Sequence, residues 1–124
     1  MKINEIMTES PVFCTDVTSL HDAAQMMAEN NCGSIPVVES AENKRPIGIV
    51  TDRDITIRVV AAGADLAFSR VGDCMTDEAF ACHVGDSLMD CMRVMSRHQI
   101  RRIPIVDDRS RVVGDPHCSR VGGG

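Results

Sequence analysis

The sequence predicts a mixed α/β fold of the α+β type, built from two similar strand-helix-strand-strand-helix units, of which the second is truncated. Segments repeat at a fixed spacing along the chain, and strand-like and helix-like patterns follow in the same order in both copies. The composition agrees, since 44% hydrophobic and 25% charged residues are ordinary values for a globular domain. A stretch of 124 residues accommodates one average domain or two very small ones.

An internal repeat with a spacing of 68 residues organises the chain. Ten of the 32 positions from Met7 to Val38 carry the same residue 68 positions later, where chance at about 6% per position gives roughly two. Met-Thr pairs at 7 and 75 and Ile-Pro pairs at 35 and 103 are among the matches. The copies are therefore assigned to residues 1–63 and 71–114, with a linker at 64–70 and an irregular tail at 115–124.

Each copy begins with a short strand and a helix. The strands are expected at Val12–Thr15 and Phe80–His83. A serine then stands three residues before an aspartate, which is the capping-box pattern that opens a helix. Apolar residues at i, i+3, i+4 and i+7 predict the buried helix faces, which are Leu20, Ala23, Ala24 and Met27 in the first copy and Leu88, Cys91, Met92 and Met95 in the second.

Two further strands follow the first helix. Gly33 is expected to end that helix in the left-handed conformation. Two strands are then predicted, at Ile35–Val38 and at Pro46–Val50, and a polar turn joins them. Because proline cannot donate a hydrogen bond to a sheet, Pro36 and Pro46 are expected at an edge strand or at a strand start.

The copies differ in how they close. The first continues into a helix predicted at Ile55–Ala62 and stopped by Gly63. The second ends after the strands Ile103–Val106 and Val112–Gly114, and Asp115–Gly124 carries a proline and three glycines with no apolar repeat. No amphipathic helix is expected in this tail.

The charge and hydropathy of the chain indicate which classes of partner it is not expected to bind. The net charge of −5 gives no overall attraction to nucleic acid or to an anionic membrane, so neither is an expected partner. No apolar run approaches the roughly 18 residues of a membrane helix, and the first residues lack the apolar core of a secretory signal. We therefore expect a cytoplasmic protein.

Six cysteines are spread along the chain without a C-x-x-C pair, so reduced, buried thiols are the favoured interpretation and no metal site is predicted. A thiol-redox or metal protein built on Cys74, Cys82 and Cys91 is retained as an alternative. The histidines have no carboxylate or nucleophile at a suggestive spacing, and no other catalytic set is evident. We therefore do not expect an enzyme.

The repeated motifs identify a family. Ile6-Met7-Thr8 and Cys74-Met75-Thr76 open the copies, Ile-Pro-Val-Val and Ile-Pro-Ile-Val form equivalent strands, and Gly48-Ile49-Val50-Thr51-Asp52-Arg53-Asp54 follows in the first copy. Over residues 1–114 the chain resembles a tandem pair of CBS (cystathionine β-synthase) domains, the Bateman module, in particular the small stand-alone two-CBS proteins.

That resemblance implies a disc-like module whose repeats pack about a pseudo-twofold axis and bind adenosine nucleotides in the clefts between them. Such modules commonly pair into homodimers. They act by binding and signalling, require no cofactor for chemistry, and pass their signal to an effector protein that this sequence does not identify.

Thr51 and Asp54 are the centre of the candidate site. From the residues alone, Thr-x-x-Asp at a helix start is a capping box that needs no ligand. The same arrangement presents amide groups, a hydroxyl and a carboxylate to a cleft, where they could hold a ribose. The resemblance favours the ligand role, because the family uses the Thr and Asp of Gly-x-x-Thr-x-x-Asp in this way.

The resemblance also supplies positions for the rest of a nucleotide. Arg101 and Arg102 match basic residues that reach the phosphate, and arginine suits that role because its planar fork binds two oxygens. Ile49, Ala79 and Phe80 match positions against the adenine. Solvated arginines and a core phenylalanine remain the alternatives.

A second site is not expected. The ribose motif is absent after Gly114, and Gly33 and Ser34 occupy the positions that match the two arginines. One site per chain with one basic pair makes AMP the simplest ligand. The alternative function is a ligand-free dimerisation or partner-docking module.

Overall fold

Two three-stranded sheets, one in each half of the chain, form the framework of the computed structural model, which describes residues 12–78, 80–99 and 103–114. The first sheet contains β1 (Cys14–Thr15), β2 (Ser34–Val38) and β3 (Pro46–Thr51), in that order. The second contains β4 (Cys82–His83), β5 (Ile105–Val106) and β6 (Val112–Gly114). The predicted mixed α/β architecture of two repeats is confirmed.

The strands of the two sheets pair in equivalent registers. β1 pairs in parallel with β2 through Cys14 and Val37, and β4 pairs in parallel with β5 through Cys82 and Ile105, each 68 residues later. The second pair in each sheet is antiparallel and has its irregularity at the same place, after Val37 and after Ile105. The sequence repeat is therefore a structural repeat down to a local distortion.

The two long helices also match. α1 covers Leu20–Asn30 and α3 covers Leu88–His98, and the serine before each accepts an N–H at 3.0 or 3.2 Å as its cap. The expected helix end at Gly33 was wrong. α1 is capped by Asn31 with φ 49° and α3 by Gln99 with φ 55°, and in both helices the N–H of this left-handed residue donates to carbonyls of the last turn.

Each helix buries a narrower stripe than predicted. Leu20, Ala23 and Met27 are buried, but Ala24 is exposed because the sheet covers only the i, i+3, i+7 line of α1. In α3 only Cys91 and Met95 are buried, while Leu88 and Met92 are half-buried against the same core.

Pro36 lies in the central strand of its sheet, and the expected edge position was wrong for this residue. Its missing N–H is tolerated because β1 is too short to reach it and pairs only with Val37 and Val38. Pro46 is the first residue of β3, as predicted.

The closing helix of the first half is short and changes pitch. α2 covers Asp52–Ile55 and continues as a π-helical turn over Thr56–Val60, and Gly63 with φ +77° lies in the turn that follows. Ile55 and Val59 from this segment join the first core.

The halves bury unequal cores. Within the described residues, eleven buried side chains form the first core and five form the second, namely Cys82, Cys91, Met95, Ile103 and Ile105. Val71 and Cys74 belong to the first core although their segment opens the second sequence repeat. The repeats therefore interlock at this segment.

We expect Ser87→Ala to lower the free energy of unfolding by about 1 kcal/mol, because it leaves the Asp90 N–H without its cap. Chemical denaturation measures the change. Ser96→Ala, at an exposed position of the same helix, is the control and should change little. Equal effects of the two substitutions would contradict the capping role.

Candidate functional site

A reciprocal capping box joins β3 to α2. Thr51 Oγ1 accepts the backbone N–H of Asp54 at 3.0 Å, and Asp54 Oδ2 accepts the backbone N–H of Thr51 at 3.0 Å. The Asp54 side chain is 13% exposed. The structure thus shows the capping role of both residues and holds their oxygens in fixed places, while their ligand role stays a prediction.

Arg58 connects this box to the second repeat. Its Nε lies 3.9 Å from Asp54 Oδ1, and its Nη1 donates to the backbone oxygens of Cys74 at 3.1 Å and Met75 at 3.3 Å. Sequence reasoning missed this residue. The spacing of four from Asp54 along a helix was the signal that could have found it.

A two-residue bridge brings the halves together beside the box. Ile49 N–H donates to Thr76 O at 3.0 Å, and Thr76 N–H donates to Ile49 O at 2.8 Å. A Cβ on Gly48 would lie 2.4 Å from the same Thr76 oxygen, so only glycine permits this approach. The bridge aligns the end of β3 with the segment that leads to Ala79 and Phe80.

Ile49 is 7% exposed and belongs to neither core. It pairs with Pro36, whereas Ile35, Val37 and Val50 are in the core beneath α1. Because side chains alternate along a strand, Ile49 lies on the face of the sheet opposite α1. This is the face from which a predicted base contact would have to be made.

Phe80 is half-buried against the second core, and its ring stacks on His98 with 3.7 Å between ring centroids and 26° between planes. The core role is therefore observed, and contact with a base stays a prediction. Ala79, Arg101, Arg102 and the tail 115–124 lie outside the described residues, so the expectations for them are unchanged.

His83 has a carboxylate partner that the sequence did not reveal. Its Nε2 lies 2.5 Å from Asp108 Oδ1, and its Nδ1 accepts the N–H of Gly85 at 3.0 Å. The acceptor role of Nδ1 places the ring proton on Nε2, which donates to Asp108. Since the Asp108 side chain is 92% exposed, the pair links β4 to the β5–β6 turn at the surface.

The described cysteines Cys14, Cys32, Cys74, Cys82 and Cys91 are free thiols. Burial raises the pKa of Cys14 to about 12, and it also raises the pKa of Cys74, Cys82 and Cys91. These four buried thiols are therefore neutral at pH 7, which does not suit a thiolate nucleophile.

Across the part of the chain that the structure describes, no helix is long and apolar enough to cross a membrane.

A known protein family matches both repeats of the chain. The sequence profile described as CBS domain matches residues 3–61 and 71–114. CBS domain-containing protein YhcV of Bacillus subtilis is 36% identical over 110 residues, covering 89% of this chain and 76% of that protein. Hypoxic response protein 1 of Mycobacterium tuberculosis is 32% identical over 110 residues, covering 89% and 75%.

Two solved structures share the fold over nearly their whole length. A crystal structure of Hypoxic Response Protein I with two coordinated zinc ions has a TM-score of 0.85 and 28% identity, with 99% of this chain and 98% of that chain covered. A CBS domain pair in complex with 5′-methylthioadenosine and S-adenosyl-L-methionine has a TM-score of 0.79 and 26% identity, with 100% and 97% covered.

Proposed function

Because the chain belongs to the CBS domain family, we propose that it is a regulatory module without catalytic activity that binds an adenosine nucleotide, AMP most simply, between its repeats. One observation carries the proposal. The Thr51–Asp54 box lies at the end of the strand that the Ile49–Thr76 bridge attaches to the second repeat. A similar CBS domain pair binds two adenosine compounds.

Asp54 is suited to hold the ribose. A carboxylate has about four lone-pair sites, and one is used by the Thr51 N–H. The 3.9 Å separation from Arg58 Nε is longer than a hydrogen bond, so Oδ1 keeps capacity for a hydroxyl donor. Thr51 Oγ1 accepts the Asp54 N–H and still has its own proton to donate beside that carboxylate.

The base and phosphate use residues from both repeats. Ile49, Ala79 and Phe80 would contact the adenine, and Arg101 and Arg102 would bind the phosphate. A single arginine pair neutralises one phosphate better than three, which favours AMP over ATP. An effector protein would then respond to the occupied module.

Thermal unfolding with AMP, ADP, ATP, adenosine and S-adenosyl-L-methionine tests the proposal. A ligand present at 100 times its Kd should stabilise the protein by about 2.7 kcal/mol. The absence of a shift with every adenosine compound would contradict it and favour the alternative, a ligand-free dimerisation or docking module.

We propose that the module forms a homodimer. Exposed apolar surface was expected on Leu88, Met92 and Met95 or on the neighbouring helix of the first repeat, and the first of these sets does not supply it, because Met95 is 2% exposed and the other two are half-buried. Ile57 and Val60 on the π-helical turn are instead 50% and 55% exposed. Sedimentation at micromolar concentration should therefore show a dimer, and a 13.5 kDa species alone would contradict this.

A further inference from the structure

Three side chains with metal-ligating atoms converge in the second half of the chain. One ligand atom from each of Cys82, Asp86 and Cys91 lies within 4.8 Å of the others. Cys82 lies on β4, Asp86 in the following turn and Cys91 in α3. The two cysteines are 2% and 0% exposed, and both belong to the second core.

The backbone fixes these groups. Asp86 N–H donates to the oxygen of His83 at 2.9 Å, and Asp86 Oδ2 accepts the N–H of His83 at 2.9 Å. This double contact holds the carboxylate against the end of β4 and still leaves it capacity for another partner. Ser87 then caps α3, which sets the position of Cys91 one turn later.

We propose that Cys82, Asp86 and Cys91 form a binding site for a thiophilic divalent cation, with zinc as the expected ion. The two thiols would release their protons as the ion binds, and two thiolates with one carboxylate are ligands that zinc accepts. Three protein ligands leave one position of a tetrahedron for water. The His83 ring is not a ligand here, because both its nitrogens are engaged by Gly85 and Asp108. None of the three residues is among those proposed to bind the nucleotide.

The site is a property of the second repeat alone. The residues 68 positions earlier are Cys14, Thr18 and Ala23, so the first repeat retains one of the three ligands. The first core is also the larger, with eleven buried side chains against five among the described residues. A metal that joins β4 to α3 would stabilise the half with the smaller core, because binding to a site formed only on folding adds to folding stability.

Cadmium and zinc titrations of the full chain test the proposal. The protein is stripped with a chelator, kept reduced and titrated with Cd²⁺, and the sulfur-to-cadmium charge-transfer absorbance is followed; zinc is then measured by competition. We expect one tightly bound ion per chain. Cys91→Ala should lower the affinity by more than the roughly 10- to 100-fold that removal of an outer-shell partner causes.

The variants of the proposed metal site are chosen by comparing the two sequence repeats. Cys91→Ala introduces the residue that the first repeat carries at the matching position, so it should fold. Cys74→Ala is the matched control, because Cys74 is also a buried thiol, 1% exposed, but lies in the first core. Asp86→Asn keeps an oxygen for the His83 N–H and should weaken binding at least tenfold, which provides a test if Cys91→Ala does not fold.

Three results would overturn the proposal: no ion bound at one per chain, equal affinity in wild type and Cys91→Ala, or equal losses in Cys91→Ala and Cys74→Ala. A Cys82–Cys91 disulfide in protein isolated without reductant would also overturn it, since it would make the pair a redox couple.

Discussion

Replacing Gly48 by alanine is expected to lower the free energy of unfolding by about 1 to 3 kcal/mol. The added Cβ would lie 2.4 Å from Thr76 O and 3.1 Å from the terminal methyl carbon of Met75. The first contact is with backbone, so a side-chain rotation cannot relieve it. Either the Ile49–Thr76 bridge must open or β3 must move.

The bridge explains why the cost is large. Its two hydrogen bonds hold the first sheet to the segment that carries Val71 and Cys74 into the first core. Displacing Thr76 would therefore disturb core packing as well as a local contact.

Chemical denaturation of Gly48→Ala against Gly85→Ala measures the effect. Gly85 is exposed, and the nearest atom to a Cβ there is a ring nitrogen of His83 at 3.3 Å, which belongs to a side chain that can shift. Gly85→Ala should stay within about 0.5 kcal/mol of wild type. An equally stable Gly48→Ala variant would show that the strand tolerates the side chain and that the bridge is not a fixed element.

The helices and sheets could be predicted from the sequence because their signals are local and occur twice. Ser19 and Ser87 cap their helices and Ile35-Pro36 lies in β2, as expected, whereas β5 covers only Ile105–Val106 of the strand predicted at Ile103–Val106. The error at Gly33 was avoidable from the repeat itself. The residue 68 positions after Gly33 is an arginine, so a glycine end is not repeated in the second copy. Asn31 and Gln99 are 68 positions apart, and these equivalent residues cap the two helices.

Contacts through the backbone could not be predicted in the same way. Arg58 donates to the main-chain oxygens of Cys74 and Met75, and any residue at those positions offers the same acceptor. In the cluster of Cys82, Asp86 and Cys91, the two cysteines belong to the alternative metal set named from the sequence, but Asp86 and the convergence of the three were missed for another reason. Its spacing crosses a strand, a turn and a helix, so a search for closely spaced cysteine pairs does not detect it.

Asp54→Asn is expected to weaken the binding of adenosine and AMP alike, by roughly ten- to a hundredfold. An ionised acceptor contributes about 1.5 to 3 kcal/mol to a hydrogen bond, and each 1.4 kcal/mol is a tenfold change in Kd. Asparagine keeps an oxygen that can accept the Thr51 N–H, so the capping box and the fold should survive. Asp54→Ala would remove both the cap and the proposed ribose contact, and is the less selective variant.

Calorimetry with two ligands and two further variants separates ribose binding from helix capping. Asp52→Asn is the matched control, because Asp52 is an exposed aspartate in the same first turn. Its oxygen accepts the Arg53 N–H at 2.8 Å, which asparagine can also do. We therefore expect this variant to bind as wild type does. Arg102→Ala should weaken AMP and leave adenosine nearly unchanged, because only AMP carries the phosphate. Unchanged adenosine affinity in Asp54→Asn would restrict Asp54 to capping, and more than one nucleotide per chain would contradict the single-site proposal.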